Sequence, residues 1–186
     1  MSMEEKKNSP ISQDSNNIFN PISEDEVSQI VENLYKNKIS VEITGLGSKK
    51  FIGNKLQCSK ILDLSKLSGI IEYFPEELYI KVKACTPIIE IEKILNENNQ
   101  QLAFETLDFG YIFSGKSNKG TAAGSVSCNF AGSRRFKAGS VRDHVIGFRG
   151  VNGRGEIIKS GGTVVKNVTG YDLSKLITGS FGTLVA

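Results

Sequence analysis

A chain of 186 residues is long enough for one domain, or for two small lobes that share a ligand. Its hydrophobic content of 39% and charged content of 23% are ordinary for a soluble protein, and a net charge of +3 is too small for the dense basic face that nucleic acid requires. Cys58, Cys85 and Cys128 are scattered and form no CxxC pair, which argues against a disulfide frame, a zinc site or an iron–sulfur cluster, so no metal is expected.

Residues 1–20 are polar and rich in Ser and Asn, and read as a disordered tail with no apolar run of the signal-peptide kind. Nothing in the chain approaches the ~18 apolar residues of a membrane span. The expected location is cytoplasmic, or peripheral on the inner membrane through partner subunits. Ser23 with Glu26 three residues on is a capping box, and Val27, Ile30, Val31 and Leu34 follow at helical spacing, predicting a helix over 24–36. Residues 40–44 alternate as a strand and run into Gly45-Leu46-Gly47-Ser48-Lys49-Lys50. Three further strand-like runs cover 61–64, 69–74 and 78–84. Pro87 opens a second helix carrying Ile88, Ile91, Ile94 and Leu95. A short strand is expected at 101–104, a loop at 105–119 and a short helix at 121–129. Asn152-Gly153-Arg154-Gly155 joins 145–151 to 156–159 as a hairpin, Asp172 caps a helix through Leu176, and 179–186 begins a last strand. This order is α+β and not a repeating βαβ chain.

Glycine is the compositional oddity, with 15 of 19 falling between Gly110 and Gly182. Such crowding marks tight turns, or backbone that must approach something closely. The turn Gly45-Leu46-Gly47-Ser48-Lys49 could be an ordinary tight turn. Its successive N–H groups, with the Ser48 hydroxyl and the Lys49 charge, could instead form a nest for phosphate. It is not a Rossmann fingerprint, because no third glycine opens a helix. The small residues from Gly120 to Gly132, including Thr121, Gly124, Ser127 and Asn129, suit either tight helix packing or a flat ligand lying against backbone. Gly179, Gly182 and Thr183 repeat the theme near the other end. All three elements make sense together if they wrap one extended ligand that carries phosphates and a ring.

Two stretches then become specific. One runs Ala131-Gly132-Ser133-Arg134-Arg135 through Ala138-Gly139-Ser140-Val141-Arg142-Asp143-His144 to Val151-Asn152-Gly153-Arg154-Gly155-Glu156. The other runs Lys159-Ser160-Gly161-Gly162, then Val165-Lys166-Asn167-Val168-Thr169-Gly170-Tyr171-Asp172-Leu173. Both are similar to the FAD-binding E-subunit family of bacterial glycolate oxidases, within the vanillyl-alcohol-oxidase (PCMH) type of FAD-binding domain. The resemblance covers residues 24–186 and implies a two-lobed α+β fold, with lobes at 21–104 and 105–186 and the C-terminal cap region of relatives absent. It implies that Gly45, Leu46, Gly47, Ser48 and Lys49 hold the FAD pyrophosphate. Thr121, Gly124, Ser127, Asn129, Gly132 and Ser133 would lie along pyrophosphate and flavin, with Gly179, Gly182 and Thr183 near the flavin and ribityl chain. Residues 105–110 would be a further lining loop. Departures from the family pattern are Leu46 and Ala123 where glycine is usual, and Phe104-Glu105 without the following prolines.

The implied function is the FAD-binding subunit of a 2-hydroxy-acid (glycolate) oxidase or dehydrogenase complex, with a second flavoprotein subunit and an iron–sulfur subunit as partners. A non-catalytic assembly subunit holding FAD loosely or not at all, and a D-lactate type of oxidase, are the alternatives. The FAD is expected to be non-covalent, since the 45–50 loop has no histidine or cysteine and Cys128 is the one thiol in a lining segment. No residue is a confident catalytic base, and the chain alone is expected to be inactive. His144, the single histidine, reads as a packing or surface residue. Arg134, Arg135, Lys137 and Arg142 read as a solvated basic face, with a phosphate or partner subunit as the other reading. Lys166-Asn167 with Tyr171-Asp172 is either a functional loop or a rigid connector.

Overall fold

The computed structural model describes residues 17–162 and 170–186. Residues 1–16 of the expected tail, and Lys166 and Asn167 of the glycine-bounded motif, lie outside the described residues. The tail reading does not extend to its end, because Ile18–Phe19 form a first strand, β1. Two consecutive apolar residues between Asn17 and Asn20 carry too little pattern to signal a strand. Pairing with a later strand supplies what the local sequence lacks.

Helix α1, Glu24–Lys36, has the expected span. Ser23 caps it through Glu26 N–H at 3.2 Å, but the reciprocal half of the box is displaced by one residue: the Glu26 carboxylate accepts from Ile22 N–H at 2.9 Å. The apolar stripe Val27, Ile30 and Leu34 is buried against a parallel sheet of order β1-β3-β2, where β2 is Val41–Thr44 and β3 is Lys60–Asp63. Leu62 at the centre of β3 is completely buried, and Leu64, Cys85 and Val151 close the same core. Burial pushes the Cys85 thiol up to about 11, with the Asp63 charge as a second cause, so it stays protonated.

Strands β4 (Ile70–Phe74) and β5 (Tyr79–Val82) pair antiparallel around a 3-10 turn, and helix α2 (Ile88–Glu97) buries Ile88, Ile91 and Leu95 against Tyr73, Ile80 and Val82. The buried hydroxyl of Thr86 accepts from Gly69 N–H at 3.0 Å and donates to the Lys83 carbonyl at 2.8 Å, fixing the joint between β5 and α2.

The second half departs from expectation at three places. Residues 101–104 are not a strand. The segment 105–119 is not simply a loop, since it contains helix α3, Phe109–Ser114, capped by Asp108 through Tyr111 N–H at 2.9 Å. Residues 179–186 form turns, with one bridge between Val185 and Asn152, in place of a regular strand. The short helix α4 (Ala122–Cys128), the antiparallel hairpin of β6 (Gly147–Val151) with β7 (Ile157–Gly161), and helix α7 (Leu173–Ile177) capped by Asp172 are as read. One-turn helices α5 (Arg135–Ala138) and α6 (Val141–His144) lie between them. Packing crosses position 104/105: Val151 of the hairpin enters the α1 core, and Ala122 packs on the α2 cluster.

Candidate functional site

The 45–49 turn leaves the C-terminal end of β2, the end of a parallel sheet at which ligands are bound in open α/β arrangements. Two of its glycines are demanded by geometry. A Cβ on Gly45 would lie 2.9 Å from Cys85 Sγ, and Gly47 has φ +68, in the left-handed region. Lys50 N–H turns back to the Gly47 carbonyl at 3.2 Å. The N–H groups of Leu46, Gly47, Ser48 and Lys49 meet no backbone or side-chain acceptor among the described residues.

The turn lies on the start of α4. A Cβ on Gly120 would collide with the Ser48 hydroxyl and come within 2.8 Å of Lys49 Nζ, and one on Gly124 would stand 3.8 Å from that ammonium. Lys49 Nζ is 3.2 Å from Ser48 Oγ and 3.4 Å from the Lys119 carbonyl, and it sits 5.6 Å above the Phe109 ring. It forms no ion pair among the described residues. Burial of this ammonium pushes its pKa down from the usual lysine range.

The N-terminus of α4 itself is not a free anion site. Ala122 N–H donates to the Thr86 carbonyl at 2.9 Å and Ala123 N–H to Ala84 at 2.8 Å, while the buried Thr121 hydroxyl takes Gly124 N–H at 3.1 Å. Thr121 is therefore a cap, and a Cβ on Gly124 would crowd its hydroxyl at 3.1 Å. The donors open to a ligand belong to the turn, a division that glycine spacing does not reveal.

At the other end of α4, about 10 Å away for seven residues, the 179–183 segment docks. Gly179 N–H donates to the Val126 carbonyl at 3.0 Å and Phe181 N–H to Ser127 at 2.8 Å. Gly179 and Gly182 have φ +89 and +75, and Thr183 Oγ1 donates to the Ser180 carbonyl at 2.7 Å. Asn129 is left-handed at φ 51, and its side-chain oxygen accepts from Arg142 N–H at 3.1 Å. Helix α4 thus joins Gly45, Leu46, Gly47, Ser48, Lys49, Thr121 and Gly124 at one end to Ser127, Asn129, Gly179, Gly182 and Thr183 at the other.

Gly132 and Ser133 stand elsewhere. A Cβ on Gly132 would collide with the Glu105 carboxylate, which accepts Arg134 N–H at 2.7 Å. Both residues line a cleft of about 440 Å³ with Glu92, Phe104, Thr106 and Lys119. Lys119 Nζ bonds both Glu92 oxygens at 2.8 and 2.7 Å, and its backbone is at Lys49, so one residue links this cleft to the turn. A second cleft of about 460 Å³ lies beside Leu46, Pro87, Ser117, Asn118 and Gly120.

Two features escaped the sequence reading. Phe109, Phe130 and Phe181 pack in a row, at centroid distances of 5.2 and 5.9 Å, and Phe113 and Phe51 extend the row from Phe109. Asp108 holds Tyr111 N–H, Asn118 N–H and the Ser117 hydroxyl together, and those bonds keep its carboxyl below the usual range. An Asp directly ahead of five residues rich in aromatics was the available signal for both. His144 is exposed, with its ring 5.8 Å from Phe104 and Nε2 against the Ala138 carbonyl. Cys128 is half-buried, and burial raises its thiol pKa despite the opposing Lys49 charge.

Four N–H groups without an acceptor among the described residues, a hydroxyl and an ammonium without a carboxylate partner among them suit a multiply charged phosphate group, and the glycines beneath leave space for it. The residues present therefore fit a dinucleotide pyrophosphate. Fold and donor set suit a domain that holds a phosphate-bearing cofactor, and the chain belongs to the FAD binding domain family, which it matches over residues 16–161. It is 39% identical over 154 residues to the glycolate oxidase subunit GlcE of Escherichia coli (strain K12), covering 83% of this chain and 42% of GlcE. Glycolate oxidase subunit GlcD of Bacillus subtilis (strain 168) is 30% identical over 168 residues, covering 90% of this chain and 34% of GlcD. Among solved structures, alkyldihydroxyacetonephosphate synthase superposes with a TM-score of 0.66 at 19% identity, over 90% of this chain and 30% of that one. The expected α+β PCMH-type FAD-binding fold is thereby established. The chain spans less than half the length of these relatives.

Proposed function

We propose that this chain provides the FAD site of a 2-hydroxy-acid oxidoreductase of the glycolate oxidase kind, held non-covalently and assembled with a second flavoprotein subunit and an iron–sulfur subunit. The observation that carries this reading is the 46–49 run of N–H groups that meet no acceptor among the described residues, beneath an ammonium with no carboxylate partner among them. The turn would take the pyrophosphate through its N–H groups, Ser48 Oγ and Lys49 Nζ. Residues 127–129 and 179–183 would line the flavin and ribityl portions, with Gly132 and Ser133 in the neighbouring cleft. The chemistry such a cofactor supplies is acceptance of a hydride from the alcohol carbon of the acid. The contribution of these residues is binding and orientation, and none is assigned as the base that takes the hydroxyl proton. Since both clefts are open to solvent, the chain alone is proposed to turn over glycolate or D-lactate negligibly.

The test is Gly47→Val. A β-branched residue at φ +68 is strained, so the turn must reshape and its N–H groups diverge. Flavin absorbance per chain should fall strongly after purification. Wild-type stoichiometry in the variant removes the turn from the cofactor site.

A further inference from the structure

Residues 134–142 carry four cations, Arg134, Arg135, Lys137 and Arg142, and no carboxylate. At their centre Phe136 is 103% exposed, so its ring stands clear of the described residues. None of the four cations forms an ion pair among the described residues. The carboxylates that could have neutralised them are engaged by main-chain groups: Glu105 by Arg134 N–H at 2.7 Å, and Asp143 by Ser140 N–H at 2.7 Å. Nor is this a loose loop. Ala138 N–H returns to the Arg134 carbonyl at 2.8 Å, Gly139 stops the turn at φ +83, and His144 Nε2 lies 2.7 Å from the Ala138 carbonyl. The fold therefore holds an aromatic ring out from a fixed basic tip.

We propose that this tip seats directly on an anionic lipid surface, with Phe136 entering the headgroup boundary and Arg134, Arg135 and Lys137 meeting phosphates. A protein partner would need a pocket shaped to the ring, whereas a bilayer accepts an isolated projecting ring without one. Long cationic stems around it can lie along the boundary with their heads in water. No helix among the described residues is long and apolar enough to cross a membrane, and surface seating requires none. The proposal stands apart from the cofactor reading, because the tip uses neither the 45–49 turn nor α4.

The experiment is vesicle co-sedimentation of the chain with phosphatidylcholine alone and with phosphatidylcholine containing a quarter phosphatidylglycerol. Wild type should pellet with the anionic vesicles only, and less so as salt rises. F136S should weaken that partitioning by about tenfold. The double variant R134A/R135A should weaken it by roughly twenty-five-fold. Unchanged far-ultraviolet circular dichroism and melting confirm that each variant is folded. The proposal is overturned if the folded wild type stays in the supernatant with anionic vesicles at low salt, or if F136S partitions as wild type does. It is also overturned if vesicles retain neither protein and F136S instead loses a co-purifying subunit, which gives the tip to a protein partner.

Discussion

Replacing Lys49 by Met separates two consequences of one buried charge. In the free chain the ammonium is partly buried, against the Ser48 hydroxyl, the Lys119 carbonyl and the Phe109 face. Methionine keeps most of the volume and removes the desolvation cost, so the melting temperature of the unliganded chain should hold or rise. With FAD present the sign reverses, because a charge-assisted hydrogen bond contributes about 1.5–3 kcal/mol. Partial solvent access places Lys49 at the lower end, so Kd for FAD should rise by about tenfold. Lys49→Arg should recover part of that loss. The pH dependence follows from the depressed pKa. Between the lowered folded value and the ordinary lysine value the unfolded chain binds the extra proton, so stability of the unliganded chain rises with pH in that window. FAD affinity does the opposite, falling as pH climbs through the lowered value because pairing needs the ammonium. Fluorescence titration of FAD across pH, on wild type and Lys49→Met, reads both effects. Equal affinities with equal pH slopes would refute the placement of Lys49 at the pyrophosphate.

Asp108→Asn should lower the melting temperature at neutral pH and flatten its acid limb. The depressed carboxyl of Asp108 contributes stability above its unfolded pKa and loses it as pH falls through the folded value; parallel melting curves for the two proteins from neutral pH to pH 3 would contradict this. Acid precipitation of the FAD-loaded chain should leave the flavin in the supernatant. Burial keeps the Cys128 thiol protonated and the sole histidine packs on Phe104 and the Ala138 carbonyl, so flavin colour in the pellet would identify an attachment that the geometry does not anticipate.

Where local chemistry decides structure, the sequence was readable. Ser23, the Asn152 hairpin turn and Asp172 each fixed an element through contacts within a few residues, and the Val27–Ile30–Leu34 spacing showed which face of α1 is buried. The failures share a cause in distant partners. Ile18 and Phe19 are a strand because Ile61 and Leu62 are available to pair with them. Helix α3 is only six residues long and has a glycine near its start, too little for the Phe109, Ile112, Phe113 spacing to stand out. It exists because Asp108 ties its first turn to Asn118, and a Cβ on Gly110 would meet the Asn118 backbone at 2.6 Å. At the site, the 45–49 turn and the 179–183 segment meet α4 at opposite ends, while Gly132 and Ser133 line a separate cleft. Which N–H groups remain open depended on carbonyls at Ala84 and Thr86, and nothing in the α4 sequence reports those.

A binding surface made of main-chain N–H groups has few side chains to lose. In the 45–49 turn only two positions are constrained by shape, Gly45 against the Cys85 sulfur and Gly47 by its backbone angle. Leu46 lends a peptide group while its side chain faces partly outward, so the departure from glycine there leaves the donors where they were. If the turn holds an anion as proposed, its other positions can drift without loss of that recognition, and two chains can share it while sharing little of the motif.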